Sequence, residues 1–304
     1  MKKRKTGSIE EILIFAQLSI TLDMFQLKTQ NKTFIFDRPS LMGILNVTPD
    51  SFSDGGRYNQ MDKALQHCEQ MIADGADFID IGGCSTRPNN AIATEQEEME
   101  RVIPILKAIR EAFPETLISI DTFRKKVAEA CMAEGADLIN DISGGLFDVE
   151  MLPYIGKNRI PYVLMHCVGT PETMHQYTLS GDIHQTVMDF FKQQCETLEA
   201  YCKQQIILDP GIGFGKSLEA NYKLLSDLNR YRYNSLPILI GISRKSLIFK
   251  VLGTTPQTAE NGTTVLNTLA LLNGADILRV HDVKNAREAI ELVGTFRQSI
   301  GKTS

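Results

Sequence analysis

The chain has 304 residues, 43% of them hydrophobic, enough to bury a large core, and single domains of this size are common only among barrels and large α/β folds. A net charge of -5 and a pI near 5.6 exclude a general attraction to nucleic acid or to an anionic membrane surface, so an anionic substrate has to be met by a local cluster of Arg, Lys or His. Cys68, Cys84, Cys131, Cys167, Cys195 and Cys202 contain no C-x-x-C pair and the five histidines lack ligand spacing, which argues against a zinc site and a disulfide framework and for a reducing cytoplasm.

Lys2-Lys3-Arg4-Lys5 before Ile12-Leu13-Ile14-Phe15-Ala16 imitates a signal peptide, but Glu10, Glu11 and Gln17 interrupt the apolar run and no small-x-small site comes after it. Residues 1–23 are expected to form an extension with a short amphipathic helix, Ile9, Ile12, Leu13, Ala16 and Ile20 sharing one face, ahead of one domain over 24–304. No segment has the uninterrupted apolar length of a membrane span. Phe25-Gln26-Leu27 and Phe34-Ile35-Phe36 flank a polar Gln30-Asn31 turn and read as a hairpin that caps the bottom of the domain.

Leu41 to Val47 is an apolar run fit for a buried strand, and it carries an amide, Asn46, that such a run does not need. Pro49 turns the chain, and Ser53-Asp54-Gly55-Gly56 makes an oxygen-rich loop that its glycines free to move beside a cation or phosphate. The pattern of strand, polar loop and helix then recurs. Asp62 to Ala73 has helical spacing and Phe78 to Ile81 is a strand that ends in Gly82-Gly83-Cys84-Ser85-Thr86-Arg87-Pro88. Thr94 to Ala112 is a helix with a kink expected at Pro104. Leu117 to Ile120 ends on Asp121, with a helix from Arg124 to Glu134; Asp137 to Ile139 ends on Asn140-Asp141, with a helix near Val149 to Ile155. Pro161 to Met165 ends on His166, before a helix from Ile183 to Gln204, and Ile206 to Leu208 ends on Asp209-Pro210, before one from Leu218 to Leu228. Pro237 to Ile240 ends on Gly241-Ile242-Ser243-Arg244-Lys245, with a helix from Ser246 broken at Gly253 and resuming through Ala259 to Asn273. Ile277-Leu278 ends on Arg279-Val280-His281, and Val283 to Gln298 is the closing helix.

About eight strand–helix units at a spacing of roughly thirty residues predict a (β/α)₈ TIM barrel of the α/β class. All strands of such a barrel end on one face, so Asn46, Thr86, Asp121, Asn140, His166, Asp209, Lys245, Arg279 and His281 should meet at one mouth. A doubly wound sheet would place its site at one switch point instead of recruiting every strand end.

Pro210 to Ser217 is glycine-rich but has neither Walker nor dinucleotide spacing, so its expected use is close backbone approach to a flat ligand, with Phe214 as an aromatic wall. Asp121 and Asp209 alone are as well explained as turn caps. Together with the Asn140 amide they suit the amino and ring N–H groups of a pterin-like or purine-like heterocycle, with Lys245 donating to its carbonyl. Arg279 and His281, two apart, suit an anion clamp; the alternative is a salt-bridged rim of these two residues with Asp282.

LNVTPDSFSDGG, DIGG-STRP, SIDT, INDISGG, LDPGIGFGK, SRKS and RVH, in this order, resemble the dihydropteroate synthase family from about Met42 to the last helix. The resemblance implies a folate-pathway transferase on a (β/α)₈ barrel, usually a homodimer and a sulfonamide target. It would join para-aminobenzoate to hydroxymethyl-dihydropterin diphosphate, with Mg²⁺, and release diphosphate. It implies Asn46 as metal ligand, joined by Asp54; Asp121, Asn140, Asp209 and Lys245 as the pterin set; and Arg279, His281, Asn46 and Thr86 at the diphosphate. Arg87, Pro88, Phe214, Lys245 and Ser246 would form the aminobenzoate wall. Cys84 stands where the family commonly has Glu, and Asn89-Asn90 where it has Gly. Other readings are a corrinoid-linked methyltetrahydrofolate methyltransferase, against which STRP and SRKS speak, and a non-catalytic pterin-binding paralogue.

Overall fold

The computed structural model describes residues 25–29, 32–48, 57–84, 92–170, 173, 179, 181–200 and 205–300; the expected N-terminal helix, the Gln30-Asn31 turn, the loop around Asp54 and the loop carrying Thr86, Arg87 and Pro88 lie outside the described residues. Eight parallel strands come after an antiparallel hairpin of β1 (Phe25–Lys28) and β2 (Thr33–Phe36). They are β3 (Ser40–Asn46), β4 (Phe78–Gly82), β5 (Leu117–Asp121), β6 (Leu138–Asp141), β7 (Tyr162–Met165), β8 (Ile206–Asp209), β9 (Leu239–Ile240) and β10 (Ile277–Val280). Their order is β8-β7-β6-β5-β4-β3-β10-β9. A single parallel bridge between Leu208 and Ile238, where Leu208 N–H donates to the Pro237 carbonyl at 2.8 Å, joins the two ends into a barrel.

The strands are short and almost wholly buried because helices cover their outer faces, so each reads as an apolar run rather than as an alternation. Helix starts obey local chemistry. Thr94 and Glu97 form a capping box ahead of the Glu95–Ala112 helix, and Glu95, Glu97 and Glu98 meet the positive end of its dipole. That helix runs on through Pro104. The break at Gly253 is present: its φ of 64° ends the Ser246–Leu252 helix, and a new helix covers Glu260–Leu272.

One device recurs three times under the barrel. Gly75-Ala76-Asp77, Gly135-Ala136-Asp137 and Gly274-Ala275-Asp276 each end a helix on a glycine with φ between 96° and 101° and then present an aspartate. Each aspartate accepts a backbone N–H from the foot of the preceding strand: Leu41 at 2.8 Å, Ile118 at 2.9 Å and Ile238 at 2.7 Å. Arg287, Arg110 and Arg232 respectively pair with the three carboxylates and also donate to the carbonyls of Gly75, Gly135 and Gly274. These clasps satisfy buried strand ends that would otherwise carry unpaired amides.

The barrel floor is apolar. Met42, Phe78, Leu117, Leu138, Val163, Ile207, Leu239 and Ile277, one from each strand, cluster with Leu27 and Phe36 of the hairpin. The Phe36 ring stacks on Phe78 with centroids 5.2 Å apart, and Phe25 stacks on Phe36 at 4.5 Å. The expected cap is therefore present and seals one end.

Candidate active site

Side chains two residues apart on a strand share a face, so the next inward residues above the floor are Ile44, Asp80, Ser119, Asn140, Met165, Asp209, Gly241 and Arg279. The change from the floor is abrupt. Asp80 Oδ2 accepts from Asn140 Nδ2 at 3.0 Å and from Arg279 Nε at 2.7 Å, while Arg279 Nη2 donates to Asp121 Oδ2 at 2.7 Å. Asp80 is completely buried and its Oδ1 has no hydrogen-bond partner among the described residues. Burial pushes the Asp121 carboxyl up to about 7, against the pull of Arg279 and with the neighbouring Asp80 adding to the rise. Burial works against the charge of Arg279 too, yet the Asp80 and Asp121 carboxylates outweigh it and hold the guanidinium firmly protonated.

Asn46, Gly82, Asp121 and Asn140 are register partners across β3 to β6. A methyl group on Gly82 would sit 3.5 Å from both Asn46 Oδ1 and Asp121 Cβ, so glycine keeps the space between the amide and the carboxylate open. On the opposite wall Asp209 Oδ1 accepts from Gly211 N–H at 2.7 Å. Lys245 Nζ donates to the Ile212 carbonyl at 2.5 Å and lies 4.3 Å from the Phe214 ring centroid. Burial raises Asp209, opposed by Lys245, and pushes Lys245 down to about 8, opposed by Asp209. Ile142, Met165 and Cys167, with Phe123, Phe147 and Phe214 packed against them, form an apolar wall beside the polar groups. A deep polar floor beside an aromatic wall suits a flat heterocycle with several N–H groups.

The structure brings Asn46, Asp121, Asn140, Asp209, Lys245 and Arg279 to this one end of the barrel. His281 comes directly after β10, with Nδ1 2.9 Å from Ser243 Oγ. Ser246 begins its helix, with Lys245 at the N-cap position but making no side-chain cap bond. His166 is buried, with its pKa pushed down to about 3 by burial, and lends a backbone carbonyl rather than an exposed imidazole. Arg279 has no rim salt bridge to Asp282; that carboxylate is taken by Arg244 at 3.1 and 2.5 Å, leaving Arg279 to turn inward. Asp54, Thr86, Arg87 and Pro88 lie outside the described residues.

Asp80 and Lys216 were missed by sequence reasoning. Asp80 carries the same signal as Asn46, a polar residue inside the apolar run Phe78–Gly82, while Lys216 is hidden in a glycine loop. Among the described residues no group of three or more His, Cys, Asp or Glu could hold a metal ion. The Asn46 amide at the strand end fits instead a cation that takes one or two protein oxygens and completes its shell with water and substrate phosphate.

Fold and site together define a barrel enzyme holding a small, flat, polar substrate at the ends of its strands. The sequence pattern of the pterin binding enzyme family matches residues 42–281. The dihydropteroate synthase of Synechocystis is 44% identical over 81% of this chain and 86% of its own length, and that of Escherichia coli K12 is 41% identical over 88% and 95%. Among solved structures, the Yersinia pestis dihydropteroate synthase with a sulfonamide superposes with a TM-score of 0.84 at 40% identity, covering 90% of this chain and all of that one. The Burkholderia cenocepacia enzyme complexed with 7,8-dihydropteroate superposes at 0.81, with 35% identity, over 91% and 98%. The chain belongs to the pterin binding enzyme family and, within it, to the dihydropteroate synthases, transferases of folate biosynthesis.

Proposed function

We propose that the polar well binds hydroxymethyl-dihydropterin diphosphate and that the rim admits para-aminobenzoate, whose amine replaces diphosphate on the exocyclic methylene. The observation that carries this reading is the buried set Asp80, Asp121, Asn140, Asp209, Lys245 and Arg279 above an apolar floor. Asp121, Asn140 and Asp209 accept from the pterin amino and ring N–H groups, and Lys245 donates to its carbonyl. Asp80 orients Asn140 and Arg279. Arg279 and His281 anchor the diphosphate, together with Thr86. Phe214, Lys245, Ser246, Arg87 and Pro88 frame the aminobenzoate, in keeping with the Xanthomonas albilineans synthase solved with 4-aminobenzoic acid, a neighbour at 34% identity and a TM-score of 0.82.

Mg²⁺, held by Asn46 and Asp54, would neutralise the leaving diphosphate. The chain's own contribution is orientation and charge stabilisation, because the electron-rich dihydropterin can itself carry positive charge on its methylene and allow diphosphate to leave before the aniline attacks. Thiol chemistry is disfavoured: burial pushes Cys167 up to about 12, and Cys84 is raised by burial and then by Glu98. Isotope scrambling in bridge-labelled pterin diphosphate without a competent amine supports this order; a covalent pterin adduct on Cys84 or Cys167 overturns it.

A homodimer is supported by apolar residues left exposed on two adjoining helices: Val265 and Leu269 on Glu260–Leu272, and Leu292, Phe296 and Ile300 on Val283–Ile300. A cytoplasmic setting agrees with the free thiols Cys68, Cys84, Cys131, Cys167 and Cys195. No helix among the described residues is long and apolar enough to cross a membrane. The deciding experiment is diphosphate release with and without para-aminobenzoate and Mg²⁺. Release that needs Mg²⁺ and matches the para-aminobenzoate consumed supports the reading, and release with no amine consumed in its presence overturns it.

A further inference from the structure

The loop between β8 and the Leu218–Ser226 helix is built around a lysine to which the proposed reaction gives no role. Gly211, Gly213 and Gly215 have φ values of 69°, 90° and 64°, a left-handed alternation that prevents regular backbone pairing within the loop. The carbonyls of Gly211 and Phe214 turn to one point, and the His166 carbonyl at the end of β7 joins them. Lys216 Nζ stands at that point, donating to Gly211 O at 2.8 Å, Phe214 O at 3.1 Å and His166 O at 3.1 Å. An ammonium has three N–H donors and here meets three acceptors, whereas a neutral amine would leave one carbonyl unserved. A second tie comes from Asn221, whose Oδ1 accepts from Gly213 N–H at 2.7 Å.

Every functional contact on this wall runs through the same loop. Gly211 N–H holds Asp209, Ile212 O holds Lys245, and the Phe214 ring lies under the Lys245 ammonium. The loop also has little room to drift inward. A Cβ on Gly211 would fall 1.8 Å from the His166 carbonyl oxygen, and one on Gly215 would fall 2.6 Å from Val168 Cβ.

We propose that Lys216 is a positioning residue for the amine substrate: by gathering the carbonyls of Gly211, Phe214 and His166 it sets the Phe214 ring beside Lys245, at the distance the aminobenzoate slot requires. Asp209 faces Lys216 and helps keep it charged against burial, which pushes the ammonium down to about 7. The inference rests on the reading of Phe214 as part of the aminobenzoate wall, and the test separates the two.

Steady-state constants and unfolding midpoints are to be measured for Lys216→Met, Lys216→Gln, Phe214→Ala and the double variant Phe214→Ala/Lys216→Met. The expected result is a KM for para-aminobenzoate raised about tenfold or more in both Lys216 variants, with a smaller loss of pterin diphosphate affinity through Asp209 and Lys245, which the same loop holds. The double variant should be no worse than Phe214→Ala alone, because Lys216 acts through the ring. If Phe214→Ala leaves the aminobenzoate KM unchanged, the reading of Phe214 fails. If Phe214→Ala raises it and the Lys216 variants do not, or if the two effects simply multiply, the Lys216 inference alone fails. Lys216→Met and Lys216→Gln chains that both fail to fold would assign the residue to stability and overturn the proposal.

Discussion

At the foot of the barrel, Met42, Phe78, Leu117 and their neighbours close on Phe36 of the hairpin, and the aspartates just outside them are fully engaged: Asp77, Asp137 and Asp276 each hold a strand N–H and an arginine. Further along the same strands, Asp80 has an oxygen without a partner and Asp121 sits beside it under a single shared guanidinium. Carboxylates of one kind thus serve two ends. Below, their hydrogen-bonding capacity is spent on the chain's own backbone; above, part of it remains for a ligand, and crowding them together costs stability that the floor must offset.

The sharpest way to break this contrast is at the floor. Phe78→Ala removes a fully buried ring stacked on Phe36 and should lower stability by about 4 kcal/mol in urea unfolding, with Michaelis constants of the folded enzyme unchanged. Raised constants at undiminished stability would show that the floor and the mouth are not separate. Arg279→Met comes next, leaving Asp80 and Asp121 without their cation. A loss of about 3 kcal/mol is expected at pH 8, together with at least a hundredfold fall in turnover, and part of the stability should return at about pH 5 as Asp121 takes up a proton.

Asp209→Ala reverses the pattern of Phe78→Ala. It should weaken pterin binding by about 2 kcal/mol in calorimetry with a smaller loss of stability than Phe78→Ala, since relief of a buried carboxylate partly offsets the loss of its support for Lys216 and Lys245. An unchanged affinity would remove Asp209 from the pterin set.

The smallest effect is titration. Burial raises Asp121 to about 7, so the folded chain keeps a proton that the unfolded chain releases near 3.8, and stability from this group falls as pH rises from about 4 to 7. Burial lowers Lys216 to about 7 and Lys245 to about 8, so the unfolded chain binds more protons from there to about 10.5, and stability from these groups rises across that window. The mouth therefore contributes a stability minimum near neutral pH. Replacing Asp121 by Asn should flatten the acid limb relative to wild type, because the proton uptake that separates the folded from the unfolded chain there is removed. Identical pH profiles for the two proteins would show that Asp121 titrates normally.

The barrel is legible because its strands are short apolar runs with a polar residue at or close to the end of most of them. Asn46, Asp121, Asn140, Asp209 and Arg279 are found by that rule. Boundaries shift where local chemistry competes with periodicity: the apolar run predicts a strand from Pro237, whereas β9 spans only Leu239–Ile240, and the helix expected from Asp62 begins at Arg57. Asp80 escapes because Ile81 continues the apolar run beyond it to Gly82-Gly83, so the polar end of that strand is sought past it.

Apolar runs of strand length, glycine breaks such as Gly253 and the polar residues near the ends of those runs are local properties, and they were enough to determine the number of units and the common mouth. Which residues meet across the barrel depends on strand order, closure through Leu208 and Ile238, and the side to which each chain turns. Arg279 paired with Asp80 and Asp121 instead of Asp282, although 199 residues separate it from Asp80 and three from Asp282. Alternation explains this: residues 279 and 282 are an odd number of positions apart and the strand ends between them, so Asp282 is free to meet Arg244 while Arg279 faces the interior. Three carbonyls converging on Lys216 likewise come from two separate strand ends, a coincidence in space that no spacing along the chain encodes.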